Sequence, residues 1–126
     1  NQPIPFKSSF NLGNLFAQEG RYKEAIMCYK RALVLDGDDI SAWNNLGAIY
    51  EDMNELSRAE SIYKRAQALN PYKAETNFNL ARIQLLQHQK DLSEEMRQDI
   101  IRRLNFVLSV NPHNKSAERL LTGLLK

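Results

Sequence analysis

Three asparagines, Asn11, Asn45 and Asn79, recur at intervals of 34 residues, each followed directly by a leucine (Leu12, Leu46, Leu80). A carboxamide offers both a donor and an acceptor, so a regular row of them suits pairing with the C=O and N–H of a peptide backbone. The plainer use of the same side chains is to sit on a polar helix face or to cap a neighbouring backbone group. Residues that could make or break bonds show no working arrangement. His88 and His113 have no second ligand at i+3 or i+4, which argues against a metal site. Cys28, beside Tyr29 on a helical stripe, reads as inert packing rather than a nucleophile. There is no Gly-rich phosphate loop and no suggestive carboxylate pair. Glu60 with Lys64, and Asp99 with Arg103, are ordinary i, i+4 partners. The chain is therefore expected to be no enzyme and to need no cofactor.

Bulk properties narrow the partners. The 126 residues fit one domain, and a 43% hydrophobic, 25% charged composition is that of an ordinary globular protein. A net charge of +2 is too small to argue for nucleic acid. The basic pairs Lys30-Arg31, Lys64-Arg65 and Arg102-Arg103 are interleaved with acids and lack an aromatic platform, so they read as solvated surface. No run reaches the ~18 apolar residues of a membrane span, and no secretory apolar segment is present. The single Cys28 excludes an internal disulfide and fits a reducing compartment, hence a cytoplasmic or nuclear location. The sequon Asn114-Lys115-Ser116 then reads as chance. A start at Asn1 and an end at Lys126 within a helical pattern suggest a piece of a longer protein.

The elements that must position the asparagines are all helical. Residues 1–5, with Pro3 and Pro5, predict an extended lead-in. Helices are expected from about Phe6 to Gln18, broken by Gly20, and from Tyr22 to Leu35, where Ala25, Ile26, Tyr29, Ala32 and Leu33 form an i, i+3/i+4 stripe. Gly37 is expected to take a left-handed helix end. Asp38 or Asp39 caps a helix running to about Met53, Asn54 makes the turn, and the next helix covers Leu56 to Leu69. A further helix runs from about Ala74 to Gln87. Asp91 or Ser93 caps another that turns Ile100, Leu104, Val107 and Leu108 inward. A last amphipathic stripe of Ala117, Leu120, Leu121, Leu124 and Leu125 is either a cap helix or the start of a further repeat.

The stretch Trp43-Asn44-Asn45-Leu46-Gly47-Ala48-Ile49-Tyr50, followed by Ala59, Tyr63, Ala66 and Pro71, resembles the tetratricopeptide (TPR) pattern W-x2-L-G-x2-Y…A-x3-F…A…P. Shifted by 34 residues upstream it meets Leu12-Gly13, Phe16, Ala25, Tyr29 and Ala32; downstream it meets Leu80-Ala81. The third unit departs from the pattern, with Asn77 for Trp43 and Gln84 for Tyr50. Asn70-Pro71 recurs as Asn111-Pro112 after 41 residues rather than 34. The seven extra residues are close to two helical turns, so both helices of that unit are expected to lengthen by about one turn.

This resemblance implies an all-α, right-handed TPR superhelix of antiparallel helix pairs. Its repeats fall at 6–39, 40–73 and an elongated 74–114, with a cap or truncated helix at 115–126. It implies a concave groove lined by the first helix of each pair, with Asn11, Asn45 and Asn79 facing it, similar to the asparagine ladder of the O-GlcNAc transferase TPR array. Lys7, Phe10, Asn14, Asn44, Ala48, Phe78, Arg82 and Arg119 would line the same groove, Phe10 and Phe78 as anchors or as packing. A TPR subclass clamps the C-terminal carboxylate of chaperones with three cations and two asparagines. The matching positions here are Phe10, Asn14, Asn45, Glu75 and Asn79, so the cations are lost and that ligand is not expected. The implied function is a non-catalytic interaction module for an extended peptide. Alternatives are a structural scaffold, self-association with a second copy, or the docking arm of an enzyme whose catalytic domain lies elsewhere.

Overall fold

A computed structural model describes residues 5–126; the expected lead-in at 1–4 lies outside the described residues. Seven helices follow in order: α1 (Phe6–Gln18), α2 (Tyr22–Leu35), α3 (Ile40–Asp52), α4 (Leu56–Leu69), α5 (Ala74–His88), α6 (Glu94–Val110) and α7 (Lys115–Leu125). No strand occurs among the described residues, so the fold is an all-α helical repeat. The chain forms two compact units, 1–69 and 70–126.

In the first unit α1 packs on α2, α2 on α3 and α3 on α4. The first two hairpin turns are built alike. Gly20 (φ 74°) and Asn54 (φ 61°) occupy the left-handed region, 34 residues apart. Around each, the chain closes the helix end with two backbone bonds: Gly20 N–H to Ala17 O and Arg21 N–H to Phe16 O, then Asn54 N–H to Glu51 O and Glu55 N–H to Tyr50 O. These satisfy carbonyls that the helix end would otherwise leave open. Asp39 caps α3, its Oδ1 accepting from the Ala42 amide at 2.8 Å.

Two glycines set the helix spacing. A Cβ added at Gly13 would lie 2.7 Å from Tyr29 Cε1, and one at Gly47 would lie 2.5 Å from Tyr63 Cε1. Each missing side chain admits a buried tyrosine ring into its own hairpin, and Ala25, Ala32, Ala59 and Ala66, all buried, let the backbones approach around it.

In the second unit α5 packs on α6 and α6 on α7. Here Ala81 takes the place of the glycine, and the buried partner is Leu104 rather than a tyrosine. The smaller partner leaves room for a methyl group. Ile100, Val107 and Ala117 complete this core. Ser93 Oγ caps α6 through the Met96 amide (3.1 Å), and Asn114 Oδ1 caps α7 through the Ala117 amide (3.0 Å). The Arg97 guanidinium donates to the Leu124 carbonyl and ties the end of α7 to α6.

Three expectations need correction. Gly37 is not left-handed, since among the described residues positive φ is confined to Gly20 and Asn54. That connection is closed instead by the Asp36 carboxylate, which accepts from the Asp38 amide at 3.1 Å, and by Trp43 Nε1–H donating to Gly37 O at 2.7 Å. Trp43 is correspondingly half-exposed rather than a core residue, because its ring nitrogen must reach the loop while Arg65 covers one ring face. The seven extra residues do not go into one turn per helix. Helix α5 has 15 residues against 13 in α3, α6 has 17 against 14 in α4, and the connection 89–93 is two residues longer than 53–55.

Candidate functional site

In the first unit, α1 and α3 present equivalent faces to a shared cavity. Asn11 is fully exposed on α1, and Asn45 is half-buried on α3. Between them lies a small amide cluster. The Tyr29 hydroxyl donates to Asn14 Oδ1 at 2.5 Å, and Asn45 Nδ2 donates to the same oxygen at 3.0 Å. Burial pushes the Tyr29 phenol above its ordinary value of 10, so it stays a hydrogen-bond donor at neutral pH. This cluster forms one wall of a cavity of about 400 Å³, whose other lining residues include Gln18, Ala48, Ile49 and Asp52. The surface is polar, and a single carboxylate, Asp52, supplies its charge among the lining residues.

The second unit carries Asn79 half-buried on α5 and holding a polar contact. Next to it, Phe78 is half-buried against the unit's core, and the Arg82 guanidinium lies over its ring, 5.3 Å from the centroid. Arg119 is exposed on α7. Arg82 and Arg119 border a cavity of about 310 Å³ walled by leucines.

The remaining expected residues divide. Lys7 is exposed, whereas Phe10 is half-buried, stacked on Phe6 (5.9 Å) and tilted against Tyr29 (6.0 Å), which makes it a packing residue of its own hairpin. Asn44 is 1% exposed and so cannot meet a ligand from solvent. Its neighbour Asn45 is the accessible one, because one step along a helix turns a side chain by about 100°. Gln18, Asp52, Leu86 and Gly123 went unnoticed in the sequence. Gln18 and Asp52 stand seven residues after Asn11 and Asn45, and Leu86 seven after Asn79, so continuing each asparagine's face by two turns would have found them.

No reactive constellation accompanies these surfaces. Among the described residues, no three His, Cys, Asp or Glu side chains gather where they could hold a metal ion. Cys28 is buried, and burial raises its thiol above the ordinary value, which favours the unreactive protonated form. No helix of the described residues is long and apolar enough to cross a membrane.

Comparison with known proteins agrees with this architecture. Residues 13–54 match the family described as TPR repeat, and residues 40–73 match the tetratricopeptide repeat. The chain is 33% identical over 61 residues to the protein O-mannosyl-transferase Tmtc3 of Drosophila melanogaster, covering 48% of this chain and 7% of that one. It is 34% identical over 70 residues to the peroxisomal targeting signal receptor of Kluyveromyces lactis, covering 56% of this chain and 12% of the receptor. The chain thus spans only about a tenth of the length of these curated relatives. Among solved structures it is similar to the first TPR of Spaghetti (RPAP3) bound to the HSP90 peptide SRMEEVD. The TM-score is 0.81 at 21% identity, over 94% of this chain and 89% of that one. By sequence within residues 13–73 and by fold over most of its length, the chain belongs to the tetratricopeptide repeat family.

Proposed function

We propose that the chain is a non-catalytic interaction module that binds an extended peptide on the faces of α1 and α3 and, in the second unit, of α5 and α7. The observation that carries this reading is the Tyr29–Asn14–Asn45 cluster, a set of neutral donors and acceptors opening on a cavity of about 400 Å³. Such groups match a peptide backbone and are indifferent to its side chains. The similarity to a peptide-bound TPR structure and to a targeting-signal receptor supports the same reading. Asn11, Asn45 and Asn79 are its backbone-reading residues. Lys7, Asn14, Phe78, Arg82 and Arg119 are the accessible side chains around them. The repeat boundaries 6–39, 40–73 and 74–114 are part of the same proposal. The lost cations at Phe10, Glu75 and Asn79 direct it away from chaperone carboxylate termini.

The test is selection of random twelve-residue peptides against the immobilised protein, followed by NMR mapping of an enriched peptide. Shifts in the Asn11, Asn14 and Asn45 side-chain amides are expected. Shifts confined to α2 and α4, or no enrichment over a protein with Asn11→Ala and Asn45→Ala, would sink the proposal.

A further inference from the structure

The two cavities differ in chemistry, and the difference concerns which peptide is bound. The cavity between α5 and α7 is walled by Leu85, Leu86, Leu120 and Leu124. The ionisable groups among its described lining residues are Arg82 and Arg119, one on each helix, with no acid between them. Arg82 is held in place over the Phe78 ring, so one of the two cations is positioned before any ligand arrives. The first unit's cavity, by contrast, is bordered by amides and Asp52.

Gly123 adds an independent observation. It stands inside α7, where glycine costs about 1 kcal/mol relative to alanine. Its φ is not positive, and an added Cβ would meet nothing within 4 Å. Neither backbone nor packing asks for glycine there, unlike Gly13 and Gly47, whose Cβ positions are filled by tyrosine rings. The consequence of its missing side chain is an open cavity, since Gly123 lines it.

Resting on the peptide-binding reading, we propose that this cavity seats one bulky aliphatic side chain of an extended acidic segment. Carboxylate side chains flanking that residue meet Arg82 and Arg119. Leucine walls favour an apolar side chain, and guanidinium pairs at the rim favour planar carboxylates. The volume of about 310 Å³ suits a single anchor with its adjoining backbone, given that a buried cavity of about 150 Å³ admits benzene.

The experiment titrates isotope-labelled protein with four heptapeptides. Three are acetylated and amidated: Gly-Ser-Glu-Leu-Glu-Ser-Gly, the same with Ala for Leu, and the same with Lys for both Glu. The fourth lacks acids and ends in a free leucine carboxylate. The Glu-Leu-Glu peptide is expected to shift the Gly123 amide and the Arg82 and Arg119 Nε resonances. Affinity should fall about fivefold or more in the Ala and Lys versions. It should also weaken as salt rises from about 50 to 300 mM. Gly123→Leu fills the cavity with a good helix former and should abolish the shifts while leaving the melting temperature unchanged or raised. Arg119→Gln should weaken Glu-Leu-Glu and leave the Lys version unaffected.

Equal shifts from the Lys version, tighter binding of the free-carboxylate peptide, or intact binding to Gly123→Leu would each overturn the proposal. So would occupation of the cavity by a second copy, seen as concentration-dependent shifts of Gly123 without peptide. If a library-selected peptide shifts Asn45 while none of the four shifts Gly123, this proposal falls and the broader reading stands. If no peptide shifts either residue, both fall.

Discussion

The Tyr63 ring occupies the space that a side chain at Gly47 would need, its Cε1 lying 2.5 Å from where the Cβ would be. Gly47→Ala should therefore force the ring or the helix apart and cost about 1–3 kcal/mol, outweighing the roughly 1 kcal/mol that alanine contributes to helix propensity. Thermal melting followed by circular dichroism should show a fall of several degrees. Gly123→Ala, where no neighbour stands in the way, should do the opposite. A rise for both substitutions would show that the glycine–tyrosine approach does not limit the helix spacing.

The ladder positions should separate energetically. Asn11 is exposed, so Asn11→Ala should leave stability within about 0.5 kcal/mol. Asn45 is bonded to Asn14, and Asn45→Ala should lose about 0.5–1.5 kcal/mol of stability as well as peptide affinity. Denaturant unfolding of the two variants side by side makes the comparison. Identical unfolding midpoints would refute the structural share assigned to Asn45.

Asn77 is the most heavily committed amide. Its Nδ2 donates to the Pro71 and Lys73 carbonyls, both at 2.9 Å, and its Oδ1 accepts from Arg103 Nη1 at 2.9 Å. Asn77→Ala would leave buried partners unsatisfied and should cost on the order of 1–3 kcal/mol, more than Asn11→Ala by any equilibrium measure. Peptide affinity at saturating fold should not change, because Asn77 is only 5% exposed.

Tyr29 gives an alkaline signature. Burial raises its phenol in the folded state, so the unfolded chain releases that proton first as pH climbs. The stabilising contribution is complete below the unfolded value near 10 and is lost as pH rises through the higher folded value. Urea midpoints should thus decline from about pH 10 upward, and Tyr29→Phe should flatten part of that decline while losing the bond to Asn14. An unchanged alkaline limb in Tyr29→Phe would assign the decline to other groups.

What the linear chain determined is the local architecture. Helices α1, α2 and α4 lie where apolar periodicity and capping residues put them, and Gly20 and Asn54 mark turns whose bonds span five residues at most. The repeat was equally legible, because Leu-Gly and Tyr recur at a spacing that depends on order alone. Tertiary structure decided the hydrogen-bond partners. Asn44 and Asn45 are neighbours of one type, yet one is buried and the other borders a cavity, and only the approach of α1 brings Asn14 to the second. Trp43 and Asn77 show the same division most clearly. They differ in size and polarity, which made the third unit look degenerate. In the fold each sends an N–H to the carbonyl six residues earlier, Gly37 or Pro71. Side-chain class predicts burial poorly at such a position, because what selects the residue is a donor placed against a loop carbonyl, and that carbonyl's location is set by packing.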